Sequence, residues 1–330
     1  MDSSSYFNPY SGKTFIGVLV ELMIRLWAFI RGDLPLESLA SDEIQILVLA
    51  GVAASSALVG TFLVLRKMTM LANSLSHTIL IGIVLAFLFT RDNDGIISEE
   101  ITHVHSLNIT ALLIASFIVG IATAFLTELL TKGARLQEDA STGIVFTSLF
   151  AIGIIAVTVL TRNAHIGTEA VMGNVDALRL EDCKLVYTVL ALNVVLFILF
   201  FKEYKITTFD PGLSRIFGMA PTFFNYLLMA QMSATAIAAF RAVGVLMVLA
   251  FITGPPLTAR LLTHDLKKML LLSAIIGVAA SILGVALSRH MLSVFSLSFS
   301  TAGVVVCIIL LFYIAAALWT NVRRVKAEGE

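Results

Sequence analysis

Four side chains able to meet an ion or a proton, Thr69, Asn73, Ser76 and His77, lie inside the apolar stretch Arg66–Phe89, RKMTMLANSLSHTILIGIVLAFLF. They are separated by steps of three and four, so a helix of 3.6 residues per turn brings them onto one narrow face. Counting from Lys67 at about 1.5 Å per residue, His77 stands about 15 Å deep, near the middle of a hydrocarbon core about 30 Å thick. A titratable imidazole facing lipid at that depth is costly, so this face must turn toward another helix or a water-filled path. If the face turns toward a water-filled path, the question is what such a path would carry.

A second group of residues suits recognition. In Lys202–Pro221, KEYKITTFDPGLSRIFGMAP, Asp210 has the chemistry of a helix N-cap, Pro211 fits the first helical position, and Gly218 fits the position just past the end. Between them Leu213, Ile216 and Phe217 share one face at i, i+3 and i+4. The spacing predicts a short capped helix with an apolar face, serving either as a knob for a partner's groove or as an amphipathic helix lying on the bilayer surface. Gly254-Pro255-Pro256, inside another apolar run, interrupts the backbone ladder. Within a membrane that is tolerated only beside protein or water, as a packing kink or along a path. His103 and His105, with nearby carboxylates, could catch a divalent cation if their segment is extended; a solvated polar loop is the simpler reading.

Enzyme signatures are missing. Ser11-Gly12-Lys13-Thr14 imitates the end of a phosphate-binding loop, but the glycine needed at position 7 is Phe7. Neither His-Glu-x-x-His nor Gly-x-Ser-x-Gly occurs, and Cys183 and Cys307 have no metal or redox spacing. The reading is therefore of a chain that is not an enzyme and needs no cofactor.

The elements that must position these residues are membrane helices. Of 330 residues 58% are hydrophobic and 13% charged, with a mean hydropathy of +0.95; soluble chains carry about 25% charged residues. Apolar runs of bilayer length follow one another: Ile44–Leu65, Met68–Phe89, Asn108–Leu130, Thr142–Leu160, Leu185–Phe201, Phe223–Phe240, Val243–Leu262, Met269–Leu287 and Ser300–Trp319. The sequence thus predicts an all-α polytopic membrane bundle of about nine transmembrane helices, eight to ten at the limits. An N-terminal segment, 1–43, holds a weaker run, Thr14–Ile30, which either spans or lies at the interface. Its Glu21 and Arg25, four apart, could pair. The transmembrane body covers 44–320, with its loop at 202–221, and 321–330 is a charged tail. If the runs alternate from Ile44, most basic residues outside them, including Arg66, Lys67, Lys202, Lys205, Lys267 and Arg323, fall on one side, which is then cytoplasmic. A net charge of zero gives no reason to expect a nucleic-acid surface.

With these residues assembled, the chain resembles the ABC-3 family of metal-importer permeases. Leu63–Phe87 looks like the family's stretch around Gly-Asp-Ala-Leu-Ser-His-Ala-Val-Leu-Pro-Gly, and Ala134–Ile154 resembles its Glu-Asp-Ala-x-x-Gly-Ile-Val-Phe segment. Phe209–Met219 is similar to the Phe-Asp-Pro coupling loop, and Val243–Thr263 to the segment ending Pro-x-x-Thr-Ala-Arg-Leu. The resemblance implies an ATP-driven, binding-protein-dependent importer of manganese, zinc or iron in the inner membrane. Its implied partners are a cytoplasmic ATP-binding subunit docking on Asp210, Pro211, Leu213, Ile216, Phe217 and Gly218, an external metal-binding protein, surrounding membrane lipid, and a second permease, identical or paralogous. It also implies that His77 contacts the passing divalent or ferric ion transiently, within a path that Thr69, Asn73 and Ser76 share. Asn73 stands where the family usually has aspartate, Ala72 where it has glycine and Ile81 where it has proline. An asparagine offers only a neutral carbonyl oxygen. The competing readings are a carrier driven by a proton or sodium gradient, with His77 titrating, and a permease for metal–siderophore chelates.

Overall fold

The computed structural model describes residues 14–31, 40–69, 109–161, 180–297 and 299–328, with Tyr10, Ile81, Gly82, Val84, Val175 and Leu178. Its elements are helices: α1 (Phe15–Arg31), α2 (Ser41–Leu65), α3 (Ile109–Gly133), α4 (Glu138–Thr161), α5 (Leu180–Leu199), α6 (Phe201–Phe209), α7 (Pro211–Ile216), α8 (Pro221–Val243), α9 (Val245–Leu262), α10 (Leu266–Phe295) and α11 (Thr301–Glu328). Segments of α2, α5, α8, α9, α10 and α11 have both the length and the hydropathy of membrane spans. Helices α3 and α4, of 25 and 24 residues, also reach bilayer length and cover the apolar runs read there. The run Met68–Phe89 lies outside the described residues, apart from Met68, Thr69, Ile81, Gly82 and Val84. Helix α11 continues to Glu328, through most of the charged tail.

Helix α2 is the axis of the bundle, with α10, α9, α5 and α8 packed around it. Its sequence has apolar or small residues on every side, and it is buried over most of Asp42–Val64, with Ile44, Leu47, Ala54 and Leu58 among those only half-buried. Small residues set how closely the neighbours come. A Cβ on Gly60 would collide with the backbone carbonyl oxygen of Ile252 on α9, and one on Gly277 of α10 would stand 3.1 Å from the Ala53 Cβ. The proline pair explains the first approach. Pro255 and Pro256 carry no N–H, so the carbonyls of Phe251 and Ile252 lose their donors one turn on. Both prolines are buried and α9 runs through them. The Ile252 oxygen faces the Gly60 backbone, where Cα–H groups are its neighbours.

One polar tie crosses the centre. Asn193 on α5 donates through Nδ2 to Ser55 Oγ on α2 at 2.8 Å and to Thr235 Oγ1 on α8 at 2.7 Å. All three residues are buried; with no water in a hydrocarbon core the Asn193 amide hydrogens and the two hydroxyls pair with one another, while Asn193 Oδ1 is left without a partner among the described residues.

The ends of the bundle are held differently. At the start of α2, Asp42 pairs with Arg289 of α10, whose Nε lies 2.7 Å from Oδ2. Glu43 receives the Ala40 N–H at 2.9 Å, the Tyr10 hydroxyl at 2.6 Å, and the Arg25 guanidinium of α1. Arg25 therefore reaches across to α2, a contact that the Glu21–Arg25 spacing did not disclose. Helix α1 buries Val18 and Leu22, leaves Ile16, Val20, Ile24 and Trp27 exposed, and lies along α10. A cavity of about 320 Å³, lined by Asp42, Gln45, Ser288, Arg289, Phe299 and Thr301 among others, opens beside the Asp42–Arg289 pair. The opposite end carries Arg66, Lys202, Lys205 and Lys267.

Candidate functional site

At the basic end the chain leaves α5 and enters α6 with hardly a break. Helix α6 turns Thr207 and, most deeply, Tyr204 into the bundle. The Tyr204 ring is fully buried, 5.1 Å from Phe197, 5.4 Å from Phe62 and 5.6 Å from Phe224, and its hydroxyl donates to Gln231 Oε1. Phe62 and Phe197 stack at 4.9 Å. Aromatic pairs at these separations contribute about 0.5–1.5 kcal/mol each beyond their buried area. Burial raises the Tyr204 phenol well above its ordinary pKa, so it acts as a neutral donor.

Asp210 joins α6 to the short helix α7. Its N–H bonds the Ile206 carbonyl at 2.9 Å, closing α6, while its side-chain Oδ1 accepts from the Leu213 N–H at 2.8 Å, opening α7. Pro211 occupies the first turn, where the missing N–H costs nothing. Ser214 faces inward, fully buried, with its hydroxyl on the Pro211 carbonyl at 2.8 Å. The end is closed by Gly218 in the left-handed region at φ 73°, with Met219 N–H on the Ser214 carbonyl at 3.0 Å. The apolar side chains are thereby held outward. Ile216 is 81% exposed, Phe217 63% and Leu213 42%, and Phe209 of α6 adds to the same projecting surface. The product is a short helix capped at both ends, a knob with an exposed apolar surface.

Helix α2 ends against this assembly. Phe62 and Arg66, four apart, share the face that meets α6. The Arg66 guanidinium donates to Thr208 Oγ1 at 3.0 Å, Thr207 Oγ1 at 3.1 Å and Asn225 Oδ1 at 3.3 Å. Burial lowers its pKa from the usual arginine range. The next residue, Lys67, has φ 60°, and the N–H of Met68 reaches back to the Leu63 carbonyl at 2.9 Å. This turn redirects the chain into Thr69, which is helical and half-buried. Asn73, Ser76 and His77 lie outside the described residues, as do His103 and His105. Among the described residues no three or more of His, Cys, Asp and Glu gather as a metal site.

Sequence reasoning located the capped knob but missed its base. KEYKITT falls within the loop read at 202–221, yet Tyr204, Thr207 and Thr208 sit at i, i+3 and i+4 and form one face toward α2 and α8. That spacing was the available signal, together with Phe62 and Arg66 on the facing helix.

The profile of the ABC 3 transport family matches residues 43–320 of this chain. A "Probable metal transport system membrane protein" of Chlamydia muridarum (strain MoPn / Nigg) is 38% identical, over 96% of each chain. The "Manganese transport system membrane protein MntD" of Bacillus subtilis (strain 168) is 40% identical, over 72% of this chain and 79% of its own length. Among solved structures, "PsaBC from Streptococcus pneumoniae in complex with Fab" superposes with a TM-score of 0.70 at 25% identity, covering 88% of this chain and 95% of that one.

Proposed function

The chain belongs to the ABC 3 transport family, and on that premise we propose that it is the membrane permease of an ATP-driven importer of manganese, zinc or iron. In this reading the ion arrives from an external binding protein, crosses the inner membrane between two permeases, and is released to the cytoplasm. ATP is hydrolysed in a separate subunit docked on the knob. The observation that carries the reading is the knob itself. Leu213, Ile216 and Phe217 stay exposed on a helix capped at both ends and seated on the buried Tyr204. A carrier driven by an ion gradient has no need of such a surface, whereas a subunit moved by an ATPase must offer a stiff handle. The name of the Bacillus relative makes manganese the first ion to try.

Within the path, Thr69 leads into Asn73, Ser76 and His77, and the ion is held by neutral oxygens and an imidazole, firmly enough to enter and weakly enough to leave. The test is uptake of Mn²⁺ by sealed vesicles carrying the permease, the ATP-hydrolysing subunit and the binding protein. Uptake should require ATP and survive dissipation of proton and sodium gradients; uptake that persists without the ATPase and collapses with the gradient would sink the proposal. His77→Ala should reduce uptake to background with normal membrane insertion, and unchanged uptake would remove His77 from the path.

A further inference from the structure

Helix α1 is fastened at two points to one end of the bundle. Near its start the Phe15 ring stands edge-on to the His290 ring of α10, with 5.8 Å between centroids. Ten residues later the Arg25 guanidinium meets Glu43 in the first turn of α2, through Nε to Oε1 and through Nη2 to Oε2 at 3.4 Å. Helices α2 and α10 run antiparallel, meeting at Asp42 and Arg289, at Ala53 and Gly277, and at Ala57 and Ser273. Glu43 and His290 therefore stand at nearly the same level, at the end opposite the basic residues. Ten residues of helix cover about 15 Å. Were α1 to descend beside the bundle from Phe15, Arg25 would stand near the level of Ala280, with most of that length between it and Glu43. Both fastenings share one level instead, so α1 runs with the plane of the membrane surface.

The circumference of α1 meets three different surroundings. Val18 and Leu22 are buried. Glu21 and Arg25, four apart, mark a polar flank. Ile16, Val20, Met23, Ile24 and Trp27 make the third face, each 50% or more exposed. A spanning helix would meet hydrocarbon on every side that the bundle leaves open, and the polar flank would be costly there. Bundle on one side, apolar surface on a second and charge on a third suits a helix lying at the boundary of headgroups and acyl chains. Trp27 adds to this, with the Arg31 guanidinium over its ring at 5.1 Å. At the opposite end of the bundle Trp319 of α11 carries Arg323 at 4.9 Å, also four residues on. These are the two tryptophans of the chain, and exposed tryptophan at both ends of a bundle is the pattern of an aromatic belt at each interface.

We propose that α1 is a surface helix whose partner is lipid: its Ile16–Trp27 face lies in the outer leaflet, at the level of the headgroup and acyl boundary. The chain before Phe15 then starts on the external side, and Arg25 ties the beginning of α2 to the membrane surface. The inference depends neither on which ion is carried nor on what drives it.

Sidedness is tested first. Cys183→Ala/Cys307→Ala removes both cysteines of the chain, and Thr14→Cys or Arg31→Cys then marks one or other end of α1, each at an exposed position. In spheroplasts a membrane-impermeant maleimide should label both positions from outside. Labelling of either position only after permeabilisation would overturn the inference. Should the cysteine-free chain fail to insert, an epitope tag ahead of Met1 on the wild-type chain decides: an antibody should reach it in intact spheroplasts, and detection only after permeabilisation counts against the proposal. Lipid contact is read from Trp27, with Trp319→Phe leaving it the single tryptophan. In vesicles of phosphatidylethanolamine and phosphatidylglycerol its emission should fall when lipid brominated near the headgroup is included, and fall less with bromine near the chain end. Greater loss with the deep bromines would place α1 in the hydrocarbon core. No loss with either would give this face to a second copy of the chain or another protein. Either result overturns the assignment to the outer leaflet.

Discussion

At the scale of single residues, the bundle depends on places where two backbones meet without a side chain between them. Gly60 is the clearest, because its obstacle is the carbonyl of Ile252 and not a side chain that could swing away. Gly60→Ala must separate α2 from α9, and is expected to cost about 2–3 kcal/mol, in the range of overpacking a tight core. Gly143 of α4 provides the comparison, since nothing lies within 4 Å of a Cβ placed there. Gly143→Ala should be neutral, or stabilising by about 0.5–1 kcal/mol through helix propensity. Thermal unfolding of the two variants in the same detergent checks both; equal midpoints would mean the α2–α9 approach is looser than described. In the sequence Ser56 and Gly60 are small residues four apart, a pattern common to membrane bundles. Which carbonyl Gly60 would meet depends on the tilt of α9, and Pro255 and Pro256 do not reveal that tilt by themselves.

At the scale of elements, α6 and α7 differ in how they are specified. Helix α7 is written locally: Asp210, Pro211 and Gly218 each act through their own backbone neighbours, so its limits are legible from residue types. Helix α6 is specified by distant partners, Phe62, Phe197, Phe224 and Gln231 around Tyr204, and its own residues KEYKITT show no apolar run. The membrane spans were legible because bilayer length and hydropathy act within one segment, whereas the ties between them, such as Asn193 to Ser55 and Thr235, join residues far apart in sequence. Two predictions concern the knob. Phe217→Asp places a charge on an exposed apolar surface, so folding should be unaffected while the ATPase subunit no longer co-purifies; normal recovery would refute docking on this face. Asp210→Ala removes the bond to Leu213 N–H, worth about 1 kcal/mol for a helix cap. It should weaken docking by up to about tenfold, since the knob must then be ordered on binding, as measured by titration of the ATPase subunit onto immobilised permease.

At the scale of the whole molecule, the two ends of the bundle carry opposite kinds of fastening. The basic end is held by aromatic rings and a guanidinium among neutral oxygens, contacts that tolerate sliding. The other end is held by charge: Arg289 to Asp42 joins α10 to α2, and Arg25 and Tyr10 converge on Glu43. Under the proposed ATP-driven reading, force applied at one end needs the helices clamped somewhere else, or the movement dissipates within the bundle. The ion pairs at the start of α2 are placed to act as that clamp. Their asymmetry gives a measurable consequence. The Asp42 side chain is 6% exposed and that of Arg289 26%, so the carboxylate depends on its partner more than the guanidinium does. Arg289→Met strands a buried carboxylate and should destabilise by about 3 kcal/mol. Asp42→Asn leaves a guanidinium that can turn toward the adjoining cavity, so the loss should be nearer about 1 kcal/mol. Unfolding in detergent should therefore rank wild type above Asp42→Asn and Asp42→Asn above Arg289→Met. The reverse order of the two variants would show that the guanidinium, and not the carboxylate, is the group this end is built to neutralise.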